Sequence, residues 1–190
     1  MSRAHIDEGL DAVVQAAQAS KTLSTQVAKI ATRYADVLRG GGTLYFCGNG
    51  GSAADAQHMA AEYVIRYSAD RPALAALALT TDSSILTAGG NDLGFEQVFA
   101  RQVEAHCRPG DLLILHSTSG QSSNLVAAAQ AARARGVPVV AWLGKGGGAL
   151  ARVVDEAVII PSNVTSLVQL MHLAFEHLVV EAVERQLFPS

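Results

Sequence analysis

Charged residues and aromatic rings are both scarce in this 190-residue sequence, at 16% and 5%. The formal net charge is −3, and no run of Lys or Arg could neutralise a string of phosphates. A nucleic acid is therefore a poor fit as principal ligand, while a small anion remains open. Cysteine is nearly absent. Cys47 and Cys107 make neither a disulfide framework nor a CxxC metal motif, so they read as small buried hydrophobes in a reducing compartment. Uninterrupted apolar runs of the roughly 18 residues that a bilayer demands are missing. The start MSRAHIDEGLDAVV has no basic region leading into an apolar one. The expectations are no membrane anchor, no export and a cytoplasmic location.

Small apolar residues are plentiful instead: 49% of the chain is hydrophobic and 17 residues are Gly. A chain of this size and apolarity buries roughly 70% of its unfolded surface, which points to one compact domain rather than disorder. So few charges cannot cover its whole exterior. Part of the apolar surface is expected to face other subunits.

The first forty residues carry apolar positions at helical spacing, through Leu10, Val13, Val14 and Ala17 and again through Val27, Ile30, Ala31 and Leu38. Two helices are expected, stopped by Gly40, Gly41 and Gly42. Short apolar runs then recur at 43–47, 73–79, 111–117, 137–143 and 156–162, separated by helix-compatible stretches. Runs apolar on both faces that alternate with helices mark a parallel sheet covered on both sides. The reading is a three-layer, doubly wound α/β domain, with a last helix from about Thr165 to Leu187. Ligands of such sheets sit beyond the carboxyl ends of the strands, so the loops after each strand carry the interest.

The loop after the first run is CGNGGSAADAQH, residues 47–58. Gly48, Gly50 and Ala53 satisfy a loose dinucleotide fingerprint, but the P-loop Lys is missing, and the acidic residue, Asp70, lies before the next strand rather than at its end. A glycine turn with free N–H groups, followed by Ser52 at a helix start, suits an oxyanion. The loop after the third run, HSTSGQSSN, offers Ser117, Thr118, Ser119 and Ser122 around Gly120, just before a helix beginning near Asn124. One helix cap needs one hydroxyl, and four can hold a phosphate without Lys or Arg. His116 reads as a strand-end histidine bonded to backbone. A third loop, LGKGGGAL at 143–150, reads as a turn without a role.

His58 and Glu62 lie four residues apart and share a helix face, where they could hold a divalent metal or form an acid–base pair. The last helix carries Gln169, His172, Glu176 and His177, and spacing alone does not choose among them.

The segments CGNGGSAADAQHMAAEYVIRY, LTTDSSILTAGGNDLGFEQVFARQVEA and STSGQSSN, with the final helix, resemble the sugar isomerase (SIS) domain and, within it, the phosphoheptose isomerase family. The resemblance spans nearly the whole chain. It implies a single flavodoxin-like domain over residues 1–190, with the helical segment 1–40 contributing to the interface of a homotetramer whose active sites lie between subunits. It implies conversion of sedoheptulose 7-phosphate to D-glycero-D-manno-heptose 7-phosphate through an enediol. Carried over residue by residue, substrate would meet Asn49, Gly50, Gly51, Ser52, Glu62, Arg66, Asn91, Asp92 and Gln169, with the phosphate at Ser117, Thr118, Ser119 and Ser122. One zinc ion per subunit would be held by His58, Glu62, Gln169 and His177, with Glu62 and His177 as the catalytic pair. Val164, Leu167 and Leu170 stand where the family has polar residues, which opens the alternative of another sugar phosphate. A non-catalytic SIS tetramer that binds a protein partner is the other alternative.

Overall fold

The computed structural model describes residues 3–189, so residues 1, 2 and 190 of the expected domain lie outside the described residues. The two expected N-terminal helices are α1 (Arg3–Ser20) and α2 (Ser24–Arg39), parted by one 3-10 turn. Five strands follow: β1 (Leu44–Gly48), β2 (Ala76–Ala78), β3 (Leu112–Ser117), β4 (Val139–Leu143) and β5 (Glu156–Ile159). They form one parallel sheet in the order β2-β1-β3-β4-β5. Between them run α3 (Gly51–Val64), α4 (Ser83–Asp92), α5 (Val98–His106) and α6 (Ser123–Ala134), and α7 (Thr165–Leu187) comes last.

Alternation along each central strand builds two cores. Phe46, Ile114 and Trp142 point to one face, where α2, α3 and α7 bring Ile30, Tyr34, Met59, Tyr63 and Val180. Cys47, Leu115 and Leu143 point to the other, against Phe99 and Val103 of α5 and Leu125 of α6. Both faces are covered, which is why the strands read as continuous apolar runs.

The edge strand β2 is shorter than the expected 73–79 because it has one neighbour, and β5 ends three residues before the expected 162. The register pairs Gly48 with His116 and Ser117 with Leu143, so β1, β3 and β4 end side by side. Chain direction across the sheet reverses between β1 and β3, and the loops that leave them open a crevice there.

By length and composition α7 could cross a membrane. Its inner face buries Val168, Phe175, Val179 and Val183 in the first core together with His172, Glu176 and Glu184.

Candidate active site

At the end of β1 the backbone turns at Gly50, whose φ of +57° and ψ of −122° suit a residue without a Cβ. The turn lets the N–H groups of Ser52 and Ala53 return to the carbonyls of Asn49 and Gly50, and α3 begins. Ser52 is buried in its first turn. The Asn49 side chain exchanges two hydrogen bonds with Asn124 of α6, at 2.9 and 2.8 Å, so the glycine loop is tied to the loop after β3.

That second loop is bonded internally. Ser117 Oγ accepts from the Gly120 N–H at 3.0 Å and Ser119 Oγ from the Gln121 N–H at 3.2 Å. Gly120 has φ +65°, and a Cβ there would lie 2.1 Å from the Gly147 carbonyl oxygen. The loop at 143–150, read from sequence as a turn without a role, thus braces the hydroxyl loop backbone to backbone, and the Leu150 N–H donates to the Gly120 carbonyl. Ser122 occupies the N-cap of α6 without a side-chain cap bond. The Leu125 and Val126 N–H groups both donate to the Ser122 carbonyl at 3.1 Å, and the first turn of α6 carries the positive end of the helix dipole. Hydroxyls beside a helix N-terminus can hold an oxyanion.

Across the crevice, α3 and α7 bring together two imidazoles and a carboxylate. His58 Nε2 lies 2.9 Å from His177 Nε2 and 3.3 Å from Glu62 Oε1, and one ligand atom from each residue falls within 4.8 Å of the others. Tetrahedral zinc with bonds of about 2.0–2.1 Å separates its ligands by about 3.3 Å. Two imidazoles and a carboxylate at this spacing fit that ion. Gln169, the fourth expected ligand, hydrogen bonds Asp55 at 3.5 Å, and its amide lies over Gly51, where a Cβ would meet it at 2.5 Å.

Beneath the crevice the polar residues of α7 tie it to the strand ends. His172 Nε2 donates to the Leu143 carbonyl at 3.1 Å, and burial lowers its pKa to about 3, so the ring is neutral. His116 corrects the sequence reading: it bonds not to backbone but to Glu176, Nε2 to Oε1 at 2.8 Å, with both side chains inaccessible. Burial raises the Glu176 pKa, and His116 opposes that shift. Burial likewise raises the pKa of Asp55, against the lowering influence of His116 and Gln169. Cys47 and Cys107 are free and buried as expected, and burial pushes the Cys107 thiol up to about 12, so neither is a thiolate nucleophile.

A SIS domain model matches residues 10–144. The phosphoheptose isomerase of Akkermansia muciniphila is 55% identical over 163 residues, which span 86% of this chain and 85% of that one. The phosphoheptose isomerase of a Bradyrhizobium species is 46% identical over 183 residues, 96% of this chain and 92% of its own. The chain belongs to the phosphoheptose isomerase family of SIS-domain proteins. Among solved structures, phosphoheptose isomerase GmhA from Neisseria gonorrhoeae superposes with a TM-score of 0.90 at 37% identity, covering 96% of this chain and 98% of that one. The phosphoheptose isomerase from Francisella tularensis gives 0.94 at 31% identity, with coverage of 97% and 99%. The chain is accordingly an aldose–ketose isomerase acting on a sugar phosphate.

Not all of the expected site residues of this isomerase converge within one chain. Arg66 is exposed just past α3, while Asn91 and Asp92 are exposed at the end of α4, where they hydrogen bond each other at 2.7 Å. Three further residues belong to the site's surroundings. Asn124 holds Asn49, Asp55 holds Gln169, and Tyr67 stacks on the His177 ring with centroids 5.6 Å apart. Asp55 had a signal in the sequence, since it stands three and seven residues before His58 and Glu62, on their helix face. The partners of Asn124 and Tyr67 are remote in sequence, and no spacing reveals them.

Proposed function

We propose that this isomerase interconverts sedoheptulose 7-phosphate and D-glycero-D-manno-heptose 7-phosphate through a cis-enediol. The observation that carries the reading is the convergence of His58, Glu62 and His177 opposite a cradle of hydroxyls and helix N–H groups. The phosphate is held by Ser117, Thr118, Ser119, Ser122 and the first turn of α6, a site that needs no cationic side chain. Asn49, Gly50 and Gly51 hold the sugar chain across the crevice. Glu62 takes a proton from C1 of the open-chain ketose and returns it to C2. His177 gives a proton to O2 and takes one from O1, so the exchange balances. Zinc, held by His58, Glu62, His177 and Gln169, one per subunit, supplies Lewis-acid polarisation of the substrate oxygens when bound.

The working assembly we propose is a homotetramer with its sites between subunits. Ile6, Leu10 and Val14 recur on one stripe of α1 and are about half exposed, at 49%, 59% and 53%. Arg66, Asn91 and Asp92 stand free of the crevice, available to a neighbour's site. Free buried thiols support a cytoplasmic location.

Sedoheptulose 7-phosphate is the assay substrate, with added zinc and then with chelator. Turnover that chelation abolishes and zinc restores is expected. Glu62→Gln and His177→Ala each lose about two decades of kcat, in line with acid–base contributions, while folding normally. Near wild-type rates in both overturn the assignment. A second reading, another sugar phosphate, is favoured by Val164 and Leu170, exposed at 53% and 43% on and beside the first turns of α7. Inertness towards the C7 ketose, with turnover of a C5 or C6 ketose phosphate, selects it.

A further inference from the structure

Glu184 lies in the last turn of α7, buried, where a carboxylate opposes the negative end of the helix dipole. Such a placement is stable only with a full set of donors, and Glu184 has five. The N–H groups of Tyr67, Ser68 and Ala69 donate to it at 3.0–3.1 Å, as do the Ser68 hydroxyl at 3.0 Å and Arg71 Nε at 2.7 Å. Three successive N–H groups aimed at one carboxylate fix the backbone of the loop that leaves α3. Arg71 extends the clamp to the other side. Its Nη2 donates to the Glu62 carbonyl at 2.8 Å and its Nη1 to the Tyr63 carbonyl at 2.9 Å, capping the last turn of α3, the turn that carries the carboxylate of the trio.

The loop held in this way ends on the active site. The Tyr67 ring stacks on His177, with centroids 5.6 Å apart and planes 28° from parallel, while His58 meets His177 edge-on at 5.1 Å. Metal-binding histidines are commonly oriented by a hydrogen bond from their second ring nitrogen to a carboxylate or carbonyl. Among the described residues, His177 Nδ1 has no such bond within the chain. Its orientation within the chain comes from the Nε2 contact with His58 at 2.9 Å and from the ring faces around it.

We propose that Tyr67 is a positioning residue that holds the His177 imidazole in its working orientation, and that Glu184 with Arg71 is the anchor that places both Tyr67 and the helix end bearing Glu62. The inference rests on the roles given above to His177 and Glu62. It assigns no substrate contact to Tyr67. The ring face matters and the phenol hydroxyl does not.

Tyr67 is 36% exposed on a loop, so its replacement opens no core cavity. Tyr67→Ala is expected to lower kcat about tenfold with KM changed less than about twofold, and to weaken zinc binding about tenfold. Zinc alone, titrated into the metal-free protein by calorimetry, measures the second effect without reference to turnover. Tyr67→Phe is expected to restore both, and Glu184→Gln, which turns an amide N–H towards backbone N–H groups, to lower kcat in the same direction. Wild-type kcat and zinc affinity in Tyr67→Ala overturn the proposal. Equal damage in Tyr67→Phe overturns it as well, as does a loss borne by KM. His177→Ala run alongside separates the two readings. If it is inactive while Tyr67→Ala is unaffected, only this inference fails. If it is fully active, the roles on which the inference rests fail first.

Discussion

Two carboxylates sit eight residues apart on the inner face of α7, Glu176 at 1% and Glu184 at 3% exposure, and the structure treats them in opposite ways. Burial pushes both towards the protonated form. For Glu184, the Tyr67, Ser68 and Ala69 N–H groups and Arg71 overcome burial and bring its pKa from an ordinary value of about 4.5 down to about 2. Glu176 has His116 alone, its Oε2 has no partner, and its pKa is raised. Burial sets the size of the penalty, and the number of donors decides its outcome. Glu184 is a latch on the chain's own backbone, whereas Glu176 is a two-residue brace from α7 to the end of β3.

The largest test of that contrast is Glu184→Ala, which leaves the Arg71 guanidinium buried without its carboxylate. It should cost about 3–5 kcal/mol in urea denaturation, and a loss under about 1 kcal/mol would break the comparison. His116→Leu alone should cost less, about 1–3 kcal/mol, because Glu176 can then take a proton and lose only a hydrogen bond. Joining it with Glu176→Leu should bring stability back to within about 1 kcal/mol of the parent, since an apolar pair can replace a buried polar one. A double variant worse than either single would show that the brace is not exchangeable.

The smallest effect is a pH dependence with a definite sign. The folded pKa of Glu184 lies below its unfolded value, so its contribution is complete above about pH 4.5 and is lost as pH falls towards about 2. Unfolding midpoints followed downwards from about pH 6 should therefore decline more steeply in the parent than in Glu184→Gln. Parallel curves would mean that the latch is not the titrating group.

Periodicity made much of the fold legible. The runs at 43–47, 111–117 and 137–143 match β1, β3 and β4 to within about two residues, since central strands buried on both faces must be apolar throughout. The expected 73–79 run overshoots because residues 67–74 are held instead by the Glu184 and Arg71 clamp and by a bond from the Leu74 N–H to the Tyr63 carbonyl. In the site, the glycine turn and the hydroxyl loop showed in the sequence because local backbone geometry selects their residue types. So did the spacing of His58 and Glu62. The pairing of His116 with Glu176, 60 residues apart, and of Asn49 with Asn124, 75 apart, was not legible, because each depends on which strand ends the sheet sets side by side. His116 looked like a backbone-bonded strand end for the same reason.

The trio joins residues 119 positions apart, and its second imidazole rides on α7, the last helix. During synthesis every strand of the sheet precedes that helix, so a nascent chain can pair its strands and form the hydroxyl loop while the trio does not yet exist. The part of the sheet face that α7 covers stays open over the same interval, around Trp142, which stacks on Phe175 of α7 in the finished fold. Completion of the first core and completion of the trio therefore both wait for α7, and truncation just before His177 removes the second imidazole together with the core residues Val179, Val180 and Val183.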